Sequence, residues 1–149
     1  MENFRPRPKG NYIESGQWQE LYTLTVHWKS DLLFYKDDLK FLRHLVDKYF
    51  IWVKNQDNLD GVQKVGEAIL KDIRECDQLL RRVSKHLSHL ARIIDEPFKN
   101  DSQLFRKEHA ELEDDIARFI KNVRKERKHL FKITEHVMDK EKLEHHLKD

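Results

Sequence analysis

The most constraining feature of this chain is an uninterrupted heptad pattern between residues 18 and 53. Apolar or amphipathic residues recur there at alternating intervals of three and four, with Thr25 as the single exception. Residues at this spacing share one side of an α-helix and need partner helices to bury them. The seam consists of Trp18, Leu21, Thr25, Trp28, Leu32, Tyr35, Leu39, Leu42, Val46, Tyr49 and Val53. Neither Gly nor Pro interrupts it, so it predicts one helix about 54 Å long, at ~1.5 Å per residue.

Two later stretches repeat the pattern. The second seam consists of Leu59, Val62, Gly66, Ile69, Ile73, Cys76, Leu80, Val83, Leu87, Leu90 and Ile94. The third consists of Phe105, His109, Leu112, Ile116, Phe119, Val123, Glu126, Leu130, Ile133 and Val137. Asp60 with Gln63 resembles a capping box at the start of the second helix, and Pro97 ends that helix. A glycine at a core position costs ~1 kcal/mol of helix propensity. We therefore expect Val46 and Ile133 to enclose Gly66.

Three long helices with two short connections predict an all-α fold, an elongated antiparallel three-helix bundle with an up-down-up order. With 38% charged residues, 4 Gly and 3 Pro in 149 residues, the composition also favours long helices. The predicted helices cover residues 16–54, 59–95 and 101–145. They form one domain over 13–149, after a mobile basic tail over 1–12. The layout resembles that of spectrin-type repeats in helix arrangement alone.

Composition excludes some classes of function. The net charge is +2, which is not the signature of a general polyanion-binding protein. One cysteine cannot form an internal disulfide and fits a reducing compartment. No apolar run has the length of a secretion signal or a membrane-spanning helix. The expectation is a cytoplasmic protein without a membrane partner.

No catalytic constellation is apparent in the sequence. The chain has neither a glycine-rich phosphate loop nor a nucleophile elbow, so we predict no enzyme, no cofactor and no small-molecule substrate. Cys76 lies on a seam and is interpreted as a small buried hydrophobe.

The nine histidines raise the alternative of a metal-binding bundle. A di-iron site needs two Glu-x-x-His units, and only Glu126 with His129 supplies one, so no metal ligand is predicted. His109 is interpreted as a partly buried, hydrogen-bonded core histidine. We expect it to meet Leu21 and Leu90.

Glu126 is a carboxylate in an apolar seam and should need a cation. The candidate cations are Lys40, Arg43, Arg74 and Arg127. With Leu39 and Ile73 opposite, no second carboxylate is expected in that layer, which disfavours acid–base chemistry.

The first helix carries more apolar residues than one seam requires. They form a second stripe beside the seam, which two partner helices do not obviously cover. The predicted interface residues are Leu24, Leu33, Phe34, Phe41, Leu45 and Trp52. This stripe favours a non-enzymatic scaffold or interaction protein that self-associates through its first helix, as a homodimer, or that binds another partner helix. The alternatives are that the N-terminal segment, with Phe4, Tyr12 and Ile13, folds over the stripe, or that an asymmetric bundle buries it.

A basic face on the third helix supports an alternative function. Its candidate polyanion-binding residues are Lys121, Arg124, Lys125, Arg127, Lys128 and Lys132. Such a stripe could bind nucleic acid or an acidic protein. Acidic residues are nearly as numerous, and no aromatic residues interleave with the basic ones for base stacking. A solvated helix face is therefore the simplest interpretation, with nucleic acid and an acidic protein partner as the alternatives.

Overall fold

The structure, a computed structural model, describes residues 17–52, 56–95 and 102–148, with the side chains of 17–48, 50, 59–95 and 103–136. It contains three helices: α1 (Trp18–Trp52), α2 (Gln56–Asp95) and α3 (Ser102–Lys148). Every described residue except Gln17 is helical, which confirms the all-α class. The predicted tail over 1–12 lies outside the described residues. None of the described helices is long and apolar enough to cross a membrane.

The helices are not broken at the glycine or at the glutamate of the predicted seams. α2 runs through Gly66 and α3 runs through Glu126. Helix α2 already includes Gln56, so Asp60 lies inside the helix. The predicted capping box at Asp60 is therefore wrong, because its side chain is past the first turn.

Helix α2 is the central element of the bundle. It packs extensively on α1 and less extensively on α3, while α1 and α3 touch each other least. Lys36 contacts Asp77, whereas Arg43, further along α1, contacts Gly66, further back on α2. This reversed order is that of antiparallel neighbours, and the contacts between α2 and α3 are reversed in the same way.

Most of the predicted α1 seam lies in the core. Leu21, Trp28, Leu32 and other seam residues are fully buried. Thr25 is buried too, and its hydroxyl donates a hydrogen bond to the Leu21 carbonyl at 2.7 Å. A polar residue is tolerated in the seam because its own helix satisfies it.

The buried stripe of α2 is rotated from the predicted seam. Ile73, Leu80, Leu87 and Ile94 are only half-buried. The buried positions beside them are Val65, Asp72, Leu79, His86 and Ile93. Contacts to α3 come from this side of α2, including those of Asp72 and His86. The central helix is therefore buried on a wider stripe than one seam.

The close approach of α1 explains Gly66. A Cβ atom there would lie 3.3 Å from Val46 Cγ1 and 3.3 Å from an Arg43 guanidinium nitrogen. Arg43 also donates a hydrogen bond to the Gly66 carbonyl at 3.1 Å. Val46 is thus the predicted neighbour, while Arg43, and not Ile133, supplies the other close contact.

The register between α2 and α3 differs from the prediction by one helical turn. His109 was expected beside Leu21 and Leu90, but it hydrogen-bonds His86. Leu21 and Leu90 instead form an end cluster with Phe105 and other apolar side chains. In the observed register the buried imidazole of His109 has a hydrogen-bond partner. Between two leucines it would have had none.

Candidate interaction surface

Helix α1 presents large apolar side chains to solvent. Phe34 is 64% exposed, Phe41 52% and Leu33 47%. Phe34 and Phe41 are seven residues apart, so they lie on the same side of the helix, about 10 Å apart at ~1.5 Å per residue. Among the residues of the predicted second stripe whose side chains the structure describes, these three are the exposed ones.

Other predicted interface residues lie elsewhere. Leu24 is 1% exposed and belongs to the main core, so its assignment to the interface is wrong. Leu45 is half-buried and packs against the same core. Leu24 is buried because α3 packs beside it, on the side of α1 that also carries Asp38 and its contact with Arg127. The side chain of Trp52 lies outside those described.

The exposed face of α1 borders a groove of about 600 Å³ between α1 and α3. Phe34, Tyr35 and Asp38 form the α1 wall. Five cations form the α3 wall, namely Lys121, Arg124, Lys125, Arg127 and Lys128. Phe34 of the predicted stripe and five of the six predicted basic residues therefore line one groove.

The five cations differ in what they contact. Arg127 forms an ion pair with Asp38 and lies 5.2 Å from the ring of Phe131. Arg124 hydrogen-bonds Tyr35, whose pKa is raised by burial and by nearby carboxylates against the opposing effect of Arg124. Lys132, the sixth predicted residue, is exposed but is not among the residues that line the groove.

A buried pair of imidazoles lies near the other end of the bundle. His86 Nε2 and His109 Nδ1 are 2.7 Å apart. His109 stacks on Trp28 at 4.6 Å between ring centroids, and His86 stacks on Phe105 at 4.3 Å. This confirms His109 as a hydrogen-bonded core histidine, although it is fully buried.

The surroundings of this pair hold both rings neutral. Burial lowers the pKa of His86 from 6.5 to about 4 and that of His109 from 6.5 to about 3. Electrostatic repulsion lowers the pKa of each ring further, from His89 and then Arg82 at His86, and from His86 and then Arg106 at His109. One neutral ring donates to the other, and a doubly charged pair would lose that bond.

A second carboxylate lies beside Glu126, contrary to expectation. Asp72 is 1% exposed, and the Asn122 amide donates to Asp72 at 3.3 Å and to Glu126 at 3.4 Å. Arg43 and Arg127, two of the expected cation partners of Glu126, contact other groups. Burial raises the pKa of Glu126, and Lys71 partly opposes this.

These carboxylates and the cysteine lie away from the groove between α1 and α3. Asp72 and Glu126 are not among the residues that line the groove between α1 and α3. Cys76 is buried, donates to the Leu32 carbonyl at 3.3 Å and has a pKa raised to about 11, chiefly by burial. Within the described residues, no three His, Cys, Asp or Glu side chains are grouped to hold a metal.

Comparison of the chain with protein-family models, curated proteins and solved structures gives no match.

The burial of Asp72 and of His86 was not predicted from the sequence. Both are buried on the rotated stripe of α2, at positions that a single seam treats as flanking. A signal was present, because Val65, Leu79 and Ile93 recur at intervals of fourteen residues on the same stripe, with Asp72 and His86 midway between them. A second heptad stripe of this kind is typical of a helix buried by two neighbours.

Proposed function

We propose that this protein is a non-enzymatic helical interaction protein that self-associates through the exposed face of α1. The observation that supports this is the exposure of Leu33, Phe34 and Phe41. Fully burying an exposed side chain of this kind contributes ~1.5–3 kcal/mol. These three are 47–64% exposed, so burying the remainder of each contributes roughly half of that. Clustered exposed apolar residues of this size usually mark an interface.

A second copy of the chain fits this face by symmetry. In an antiparallel pairing of two α1 helices, Phe34 of one copy lies opposite Phe41 of the other, and the same contact occurs twice. Such a two-fold arrangement is closed and leaves no free apolar end. Aromatic side chains are favoured at the centres of such interfaces.

Charge substitution on this face should produce monomers. We expect the wild-type protein to sediment at about twice the chain mass of 18.2 kDa, and a Phe34→Glu, Phe41→Glu variant to sediment at that single mass. The reason is that two carboxylates in each copy would have to be buried without partners. Sedimentation equilibrium over a micromolar concentration series measures both masses.

Leu104 provides the matched control. It is an exposed apolar residue on α3, and Leu104→Glu should leave the mass of the wild type unchanged. A wild-type protein that stays monomeric throughout the series would contradict the proposal, as would a double variant that stays dimeric.

An anionic partner is the second candidate function. The observation that favours it is the groove between α1 and α3, where five basic residues face an aromatic wall. This candidate does not require self-association.

A further inference from the structure

The groove between α1 and α3 is shaped to accept another helix. Its two walls are neighbouring helices that make few contacts with each other, while both pack on α2. A helix laid along such a groove would pack against both walls and complete a four-helix bundle. Phe34, 64% exposed, provides an apolar contact on one wall.

The opposite wall has an excess of positive charge. Asp38 neutralises Arg127, and it is the one acidic residue among those that line the groove. Lys121, Lys125 and Lys128 have no acidic partner within the described part of the chain. These lysines follow one another at intervals of four and three, so they form a row about two helical turns long. Acidic side chains at the same intervals on a docked helix would face them.

We propose that this groove binds an acidic amphipathic helix of a partner protein, with the apolar side of that helix on Phe34 and its carboxylates on Lys121, Lys125 and Lys128. The exposed face of α1 carries both signs of charge, with Asp37 and Lys40 near its middle, so a second copy of α1 matches the lysine row poorly. The proposal holds whether or not the chain self-associates. Because Phe34 belongs to both surfaces, a bound helix and a second copy compete for it.

Single-stranded nucleic acid matches the groove less well. Such ligands need successive flat aromatic faces on which bases stack. In the groove, Phe34 is the one aromatic residue with a largely exposed ring, and its ring meets Tyr35 edge-on, 5.3 Å between centroids and 80° between planes. Tyr35 is half-buried and engaged by Arg124.

A designed peptide tests the proposal. The probe is a fluorescent three-heptad helix with leucine at a and d and with glutamate at c and g, which recur at the same intervals of four and three as the lysines. Its control has glutamine in place of glutamate. At low salt we expect saturable binding of the glutamate peptide to the full chain, measured by fluorescence anisotropy. We expect the glutamine peptide to bind at least ~10-fold more weakly, since three charge pairs are lost.

Variants locate the binding surface. Lys121→Glu, Lys125→Glu, Lys128→Glu should weaken binding of the glutamate peptide by ~10-fold or more. The control variant changes the net charge equally, at three exposed lysines outside the groove, as Lys64→Glu, Lys85→Glu and Lys107→Glu. It should have little effect on binding of the glutamate peptide. Circular dichroism of each variant confirms folding, and Phe34→Ala provides an independent variant that adds no charge and should also weaken binding.

The outcomes separate this proposal from self-association. Reversing the charge of the three groove lysines should leave the native mass unchanged, because the proposed self-association uses the apolar face of α1. Equal binding of both peptides, equal loss in both lysine variants, or absence of binding would overturn the proposal. Tighter binding of a mixed-sequence oligonucleotide than of the peptide, at the same salt concentration, would overturn it in favour of nucleic acid.

Discussion

Lowering the pH from 7 to 4 should reduce the free energy of unfolding by several kcal/mol through the buried pair of His86 and His109. Both rings have folded pKa values, about 4 and about 3, below their ordinary 6.5. Below pH 6.5 the unfolded chain therefore binds more protons than the folded chain, and stability falls. The loss is about 3 kcal/mol for each ring, at ~1.4 kcal/mol per pKa unit, and ends only below the folded pKa values.

Replacing both histidines by leucine should remove most of this pH dependence. Replacing only one histidine would leave a buried ring nitrogen of the other without its hydrogen bond, at a cost of ~1–3 kcal/mol. Replacing both avoids this cost. The measurement is urea unfolding, followed by circular dichroism, across this pH range. Asp31 and Glu126 have raised pKa values and oppose the loss, but they are present in both proteins and cancel in the comparison.

His129 serves as the control for this experiment. It is exposed on α3, and His129→Gln should keep the wild-type pH dependence. If the double variant at 86 and 109 loses as much stability on acidification as the wild type, the pair is not the origin of the effect.

The heptad seams predicted most of the fold because burial in a helical bundle is periodic. The predicted seam of α1 identified Leu21, Trp28 and Leu32 as core, and that of α3 identified Phe105 and Phe119. Helix bounds lie within three residues of those predicted. Such local periodicity needs no knowledge of the partner helices.

The side on which each neighbour packs could not be predicted in this way. Leu24 and Phe34 both lie off the α1 seam, yet Leu24 is buried and Phe34 is exposed. The two residues differ because α3 covers one side of α1, and the pattern within α1 contains no information about that side. The same limitation applied to α2, where Asp72 is buried in place of Ile73.

The groove was beyond sequence reasoning for a related reason. It joins residues such as Asp38 and Arg127, which are separated by 89 positions, so it depends on the register of α3. A shift of one turn, as between the predicted and observed partners of His109, moves every cation on that wall by about 5 Å. The sequence showed which residues lie on each helix, but it did not show that these two surfaces lie next to each other.

Replacing Asp72 with leucine should raise the free energy of unfolding by about 1–3 kcal/mol at neutral pH, because it removes a buried polar group whose hydrogen bonds are incompletely satisfied. Asp72 is 1% exposed, and one of its carboxylate oxygens has no hydrogen-bond partner among the described residues. Its contact with Asn122, at 3.3 Å, is a long hydrogen bond. One such bond does not offset the desolvation of a carboxylate. Chemical unfolding of the wild type and Asp72→Leu measures the difference.

Replacing Asn122, the hydrogen-bond donor to Asp72, should instead lower the free energy of unfolding. Asn122→Ala removes the donor and leaves the Asp72 carboxylate buried without it, so stability should fall by about 1–3 kcal/mol. In the Asp72→Leu background the same change should cost less, because only the hydrogen bond from Asn122 to Glu126 is then lost. Asp37→Leu, at an exposed position on α1, controls for the loss of one negative charge and should stay within about 0.5 kcal/mol. A destabilised Asp72→Leu protein would contradict this account, since it would mean that the carboxylate contributes more to the fold than its single long hydrogen bond explains.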